Sequence, residues 1–593
     1  MRLLCRCVFL GLTAFLVLSP LAAQNTGFTH TIAKGETVYS IAKVYGVSVE
    51  EIYALNPEAR QGIKAGASLR LPQKKGGASG KFHTIAAGET LYKLTQLYKV
   101  SAESICAANP GLTAENFRTG QVVVIPESRS SETPQASADA PKGNEPVRAQ
   151  QQETVQSACR EMHKVKRRET IYGIAKEYGV TEEALYRANP EMRQPDYKLK
   201  KGTFICIPYP EQKQVEKPVP TNEELLSRPA PIERMRNLRM AVLLPFQSDA
   251  SKGARMVEYY RGLLMAVDSL KQGGTSVEVY AYDSGKTAAD MKKTLQKPEL
   301  AKADIIFGPL HNEQIAPLAS FCKAHAIRCV MPFTSQGNDL YSNPYLYMVN
   351  APKDYQYEEV NELTGNLFSS YNIVMLDAGE TDESGRSLTA SLKAAFKEQG
   401  IPVKQVKLSA DAAAWSQVFA ADRRNLIIPN SSSIKTLNQL FPKLKQFLQT
   451  HESYRFSLLG YPEWQTYTSS HLENFYQFDT YVYSTFYRKP LSEEVRLFEG
   501  KYMYWFKKPM ISSYPRFGLL GFDTGYFFLK GLADYGKQSF DSYLSQMESP
   551  DYQQSFRFER VSNWGGFVNK KVKLIHYMPQ QTIDLIDLVK QKK

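Results

Sequence analysis

"HTIAKGETVYSIAKVYGV" (residues 30–47) returns as "HTIAAGETLYKLTQLYKV" (83–100) and again as "HKVKRRETIYGIAKEYGV" (163–180). In each copy the His stands 26 residues before an Asn-Pro pair: His30 to Asn56, His83 to Asn109, His163 to Asn189. Further on, a Gly is followed six residues later by a Pro: Gly66 and Pro72, Gly120 and Pro126, Gly202 and Pro208. Only the segment between the Asn-Pro pair and that Gly changes length. Fixed spacing around one elastic segment describes a small folded unit with a single tolerant loop.

Each copy reads locally as β-α-α-β. "HTI" and "HKV" open a short strand rich in β-branched residues. Val38, Ile41, Ala42 and Tyr45 follow at i, i+3, i+4 and i+7, one buried helix face. Leu91, Leu94, Thr95 and Tyr98 repeat the spacing, as do Ile171, Ile174, Ala175 and Tyr178. Thr37, Thr90 and Thr170 stand where an N-cap hydroxyl accepts backbone N–H groups. Ser48 with Glu51 makes a capping-box pattern for a second helix, which the Asn-Pro pair ends. "ASLRLP", "QVVVIP" and "TFICIP" close each unit as a strand.

This order, with the Gly-Glu-Thr turn, the helix carrying its Tyr, the Asn-Pro pair and the terminal Gly-to-Pro spacing, resembles the LysM domain. The resemblance implies binding of N-acetylglucosamine polymers, in bacteria usually peptidoglycan, in a shallow groove between the first strand–helix loop and the loop after the second helix. Carried over, the groove involves Gly35, Glu36, Thr37, Asn56 and Pro57 in the first copy, and Gly88, Glu89, Thr90, Asn109 and Pro110 in the second. In the third it involves Glu169, Thr170, Asn189 and Pro190, with Arg168 in place of the Gly. The same Thr and Asn residues cap helices and turns whether or not sugar binds.

Outward from the repeats, the chain has 593 residues, too many for one core. Arg2 and Arg6, the apolar run Val8–Leu18 and the small residues to Ala23 read as a secretory signal peptide over 1–23. Gln24 stands where a lipid-anchor cysteine would. The repeats occupy 28–73, 81–127 and 159–209. Residues 128–158, rich in Ser, Gln, Pro and Ala, read as a disordered linker, and 210–236 as a Pro-rich spacer. Of seven cysteines, Cys5 and Cys7 fall in the leader. Cys159 precedes the first strand of the third unit and Cys206 lies in its closing strand, so antiparallel pairing would bring them together as a disulfide. No stretch after the leader is long and apolar enough for a transmembrane span. The net charge of +13 favours anionic partners. Export selects wall or lipid among them and excludes nucleic acid.

From Leu238 the pattern changes to alternating apolar strands and helices in two series. "LRMAVLLPF", "SVEVYAYD", "ADIIFGPL" and "AIRCVMPF" form the first; "NIVMLD", "RNLIIPN" and "RFSLLG" form the second. The fold class is therefore multidomain α+β and α/β: three small βααβ units, then a doubly wound, two-lobed α/β region over 237–593. That region resembles the type I periplasmic-binding-protein fold of branched-chain amino-acid receptors, through "IIFGPLHNEQ" and the loop after "MPF", a late helix from Leu519, and "FRFERVSNWGGFVNKKVKLIHY" as a terminal hairpin. Ligands of such sheets bind beyond the strands' carboxyl ends. The cleft residues are then Phe246, Gln247, His311, Asn312, Thr334, Ser335, Asp377, Ser431 and Tyr461. His311 and Asn312 stand where amino-acid receptors of this family carry a small hydroxyl.

Chemistry finds little footing. Ser432 with Lys435 and Ser320 with Lys323 match a Ser-x-x-Lys spacing, without the accompanying Lys-Thr-Gly or Ser-Asp-Asn. There is no CxxC, HExxH or phosphate-binding Gly loop, so no metal or cofactor is expected. Cys322 and Cys329 read as buried residues or a disulfide. The expected role is a non-catalytic, exported peptidoglycan-binding protein of the periplasm or cell envelope, whose lobes bind a small ligand or a cell-wall-synthesis partner. The alternatives are a wall-tethered receptor for an amino-acid-type transporter, or a scaffold for a separate peptidoglycan hydrolase.

Overall fold

The computed structural model describes residues 28–32, 36–72, 80–114, 116–126, 159–194, 197–208, 221–226, 231–489 and 492–587. The expected leader and the linker over 128–158 lie outside them, as does much of the Pro-rich spacer. The chain divides into two units, residues 1–128 with 221–593, and residues 129–220.

Each repeat is a two-stranded antiparallel sheet backed by two helices. The first comprises β1 (Phe28–Thr31), α1 (Val38–Tyr45), α2 (Val49–Leu55) and β2 (Ser68–Leu71). The second comprises β3 (Gly80–Thr84), α3 (Leu91–Tyr98), α4 (Ala102–Ala108) and β4 (Val122–Pro126); the third β5 (Glu161–Lys164), α5 (Ile171–Tyr178), α6 (Glu182–Ala188) and β6 (Phe204–Ile207). The registers match: His30 lies opposite Leu69, His83 opposite Val123 and His163 opposite Ile205. The helices start as their caps dictate. Thr37, Thr90 and Thr170 accept the amides of Ser40, Lys93 and Gly173, and Ser48 and Glu51 cap each other's backbone. Val38, Ile41, Ala42 and Tyr45 are all buried. In the third repeat Cys159 and Cys206 are joined by a disulfide, with Cα atoms 5.2 Å apart.

The large region forms two lobes, each built on a seven-stranded sheet. Lobe one takes β7 (Asn237–Leu244), β8 (Ser276–Asp283), β9 (Ile305–Phe307), β10 (Arg328–Met331) and β11 (Leu346–Met348). Lobe two takes β12 (Asn372–Asp377), β13 (Val403–Lys407), β14 (Arg424–Pro429), β15 (Arg455–Gly460) and β16 (Thr480–Ser484). All ladders among these strands are parallel. The inner strands are buried along most of their length, which is why they read as apolar runs, whereas the edge strands β8 and β13 are mostly exposed or half-buried.

The chain end differs from the single hairpin expected. β17 (Phe558–Arg560) and β18 (Phe567–Asn569) pair with each other and join lobe one beside β11, giving the order β17-β18-β11-β10-β9-β7-β8. β19 (Lys573–Met578) and β20 (Thr582–Ile586) join lobe two beside β16, giving β13-β12-β14-β15-β16-β19-β20. Asn569 and Lys573 are the last and first residues of the two pairs, so the chain changes lobes within "KKV" (570–572). The helix Phe517–Ser539 covers lobe one against Gly253–Gln272. Among the described residues no helix is long and apolar enough to cross a membrane.

Candidate functional site

The same polar network recurs in every repeat. His30 Nε2 meets Glu36 Oε2 at 2.7 Å and its Nδ1 meets the Tyr45 hydroxyl at 2.9 Å. His83 does the same with Glu89 and Tyr98 (2.8 and 2.9 Å), and His163 with Glu169 and Tyr178 (2.9 and 2.8 Å). A carboxylate only accepts, so Nε2 carries a proton; in a neutral ring Nδ1 then accepts from the tyrosine. Backbone N–H donation from Ala86 and from Lys166, joined by the His contacts, holds the Glu89 and Glu169 carboxyls below the usual range. Burial pushes the Tyr45 hydroxyl well up, which keeps it a donor. The relay ties strand, loop and helix together, and fixes the loop that opens toward solvent.

A second clip holds the opposite loop. Asn56 Nδ2 donates to the carbonyls of Ile52 (2.8 Å) and Arg70 (2.7 Å), while Oδ1 accepts the Arg70 amide (2.8 Å). Asn109 binds Ile105 and Val124 in the same way, and Asn189 binds Leu185 and Cys206. All three side chains are buried. Expected to border the groove, these side chains are each committed to backbone groups of a helix end and of the closing strand.

In the lobes, the expected cleft residues are largely occupied by their own loops. Thr334 Oγ1 donates to Asn312 Oδ1 (2.9 Å), and Asn312 Nδ2 donates to Gln336 (2.8 Å). The Gln247 amide donates to Asp283, and Phe246 packs on Tyr260. His311 lies 3.4 Å from Asp249. In lobe two, Asp377 accepts from Gly379 and Asn430, Ser431 donates to Asp382, and the fully buried Tyr461 donates to the Pro429 carbonyl. A cavity of about 510 Å³ brings Asn312 and Ser335 together with Gln336, Leu340 and, from the first repeat, Tyr39. None of its lining comes from lobe two. The Ser-x-x-Lys pairs do not assemble: Lys435 binds Glu380, Ser432 binds Asp382, and Lys323 donates to the Ser342 carbonyl. Cys322 and Cys329 are buried free thiols.

The family model described as "LysM domain" matches residues 30–72, 83–126 and 163–208. The three repeats are LysM domains. Curated relatives match part of the chain. The autolysin of Enterococcus faecalis is 24% identical over 179 residues, 28% of this chain and 22% of that protein. The N-acetylmuramoyl-L-alanine amidase sle1 of Staphylococcus epidermidis is 25% identical over 184 residues, 30% of this chain and 51% of that protein. The secreted LysM effector ECP6 of Passalora fulva is 26% identical over 130 residues, 18% of this chain and 57% of that protein. The chain thus spans from about a fifth to somewhat over half of these relatives' lengths. Among solved structures, a branched chain amino acid ABC transporter periplasmic ligand-binding protein from Burkholderia xenovorans aligns with 59% of this chain and 94% of that one, at TM-score 0.39 and 11% identity. The leucine binding protein LivK of Thermotoga maritima covers 60% and 99%, at TM-score 0.34 and 15% identity.

The rims are not equally open, since Thr90 of the second domain is half-buried where its counterparts are exposed. Thr37 and Thr170 are exposed, as are Pro57, Pro110 and Pro190 beside the buried Asn. Gly35 lies outside the described residues. Gly88 takes φ +74°, with open space where a side chain would project. Arg168 holds the same left-handed conformation at φ +70° and sets its side chain on the rim of the third LysM domain. Sequence reasoning missed Trp564. It packs edge-on to Tyr45 (5.8 Å) and Phe82 (6.4 Å), and donates from Nε1 to Asn109 Oδ1 at 3.0 Å. Its one signal was an aromatic residue in the turn "SNWGG", where a hairpin tip is ordinarily polar.

Proposed function

We propose that this is an exported, non-catalytic protein that grips peptidoglycan, or another N-acetylglucosamine polymer, through its LysM domains. On this reading Gly35, Glu36, Thr37 and Pro57, with their counterparts in the other two domains, border the glycan. The two-lobed region then engages a small ligand or a cell-wall-synthesis partner in the periplasm or cell envelope. The observation that carries the reading is three LysM domains in one chain, each with its two rim loops pinned by an identical Glu-His-Tyr relay and Asn clip. Rigid loops present backbone groups to a sugar without an ordering cost, and several weak sites on one chain add through effective concentration. The wall enzymes among the relatives accord with the same substrate class.

The test is co-sedimentation of the full chain with purified peptidoglycan, with soluble N-acetylglucosamine oligomers as competitor. Retention that the oligomer reverses is expected; a chain left in the supernatant at low salt rejects the proposal. The two-lobed architecture favours a second reading, a wall-tethered solute receptor. A thermal-shift screen of amino acids and muropeptides separates the two, since a ligand at a hundred times its Kd adds about 2.7 kcal/mol.

A further inference from the structure

We propose that two other segments of the chain, a short helix before lobe one and the β17–β18 turn of lobe one, occupy backbone groups on the two rim loops of the second LysM domain, so that glycan binding there competes with docking. The inference rests on the glycan reading above. Two separate pieces of chain meet the domain's rim loops. At the loop after α4, the Gly111 amide donates to the Asn563 carbonyl at 2.8 Å, while Trp564 donates to Asn109, two residues earlier. At the other loop, Asn222 Oδ1 accepts the amide of Leu91, the residue after Thr90, at 2.9 Å. Asn222 begins a short helix, α7 (Asn222–Leu226), whose Leu225 and Leu226 pack on the domain's core cluster. Leu91 contributes to that cluster from the start of α3, and Leu112 and Phe117 from the loop after α4. One segment thus meets each side of the groove, α7 at the first loop and the β17–β18 turn at the second.

The sequence carries a mark of this arrangement. After the Asn-Pro pair the first and third domains have Glu58 and Glu191, but the second has Gly111. A Cβ at Gly111 would stand 2.7 Å from Arg560 Cδ, 2.8 Å from Asn563 Cα and 2.9 Å from its carbonyl oxygen. The residue used by the sister domains is thus sterically incompatible with the docked state, although the LysM fold itself accepts it. Next to this seam a cavity of about 340 Å³ is lined by His30, Glu36, Tyr45, Arg118 and Trp564, so the first domain adjoins the same contact.

Gly111→Glu is the direct test, with Leu225→Ser/Leu226→Ser as an independent way of loosening the α7 contact that leaves the LysM residues intact. Hydrogen exchange on the full chain reads docking, and calorimetric titration with an N-acetylglucosamine pentamer reads open grooves. In the wild type the amides of 109–114 and 562–566 are expected to be protected. Either variant should speed their exchange about tenfold or more and bind one more oligomer per chain at saturation. Free exchange of those amides in the wild type, or released amides with no added oligomer, overturns the competition inference and leaves glycan binding by the other domains standing. Failure of every form to bind any oligomer overturns both.

Discussion

Asn56, Asn109 and Asn189 show how a residue that recurs in every repeat can be committed to joining two elements of the fold. Each buried amide bridges the end of a helix to a closing strand with three hydrogen bonds, and leaves its backbone neighbours orphaned if removed. Asn189→Ala should destabilise the third domain by about 2–3 kcal/mol. Hydrogen exchange at the Cys206 amide, which loses its acceptor, checks this; an unchanged rate would show that the clip contributes nothing. The position was readable in the sequence as invariant among the copies, but its direction was not. An Asn before Pro reads equally well as a cap, a rim or a clip until the partner strand, 14 residues or more downstream, is placed against it. The threonines were less ambiguous, because an N-cap is decided by its immediate neighbours.

At the scale of elements, lobe two is fastened by a charged knot across its sheet. Asp479, just before β16, accepts from Ser457 of β15 (2.6 Å) and His576 of β19 (2.7 Å), and pairs with Arg424 of β14. Burial alone would push this carboxyl up; the His576 and Ser457 bonds and the Arg424 charge more than reverse that and hold it below its ordinary value. A carboxyl depressed in the folded state adds stability above the unfolded value of about 3.9 and forfeits it as pH falls through the folded value. The wild type should therefore steepen its loss of melting temperature below pH 4. Asp479→Asn should be less stable at neutral pH and show a shallower acid limb; parallel curves for the two proteins would contradict the assignment. The parallel strands of both lobes were legible as apolar runs and the repeat helices as 3.6-residue periodicity. The closing strands were misread as one hairpin, since "FVNKKVKLIHY" carries no turn signal strong enough to announce a change of sheet.

At the scale of the molecule, the first two LysM domains and lobe one form a shared interface around Trp564. Tyr45 of the first domain touches Phe82 of the second at 4.8 Å, and the indole lies against both. Trp564→Ala should cost about 2 kcal/mol and let the two small domains unfold ahead of the lobes, visible in calorimetry as a new low-temperature transition. One unshifted transition would mean that the contact adds little. Beyond the aromatic residue at a hairpin tip, no local pattern announces it, because Asn109 and Trp564 are separated by 455 residues. The division of the last four strands between the two lobes sets an order on the protein's making. Neither large sheet is complete without β17–β20, whereas each LysM domain is contained within about fifty residues and needs no later segment for its own sheet. A chain that enters its folding compartment amino-terminus first thus delivers all three LysM segments before the tryptophan that packs on Tyr45 and Phe82 arrives.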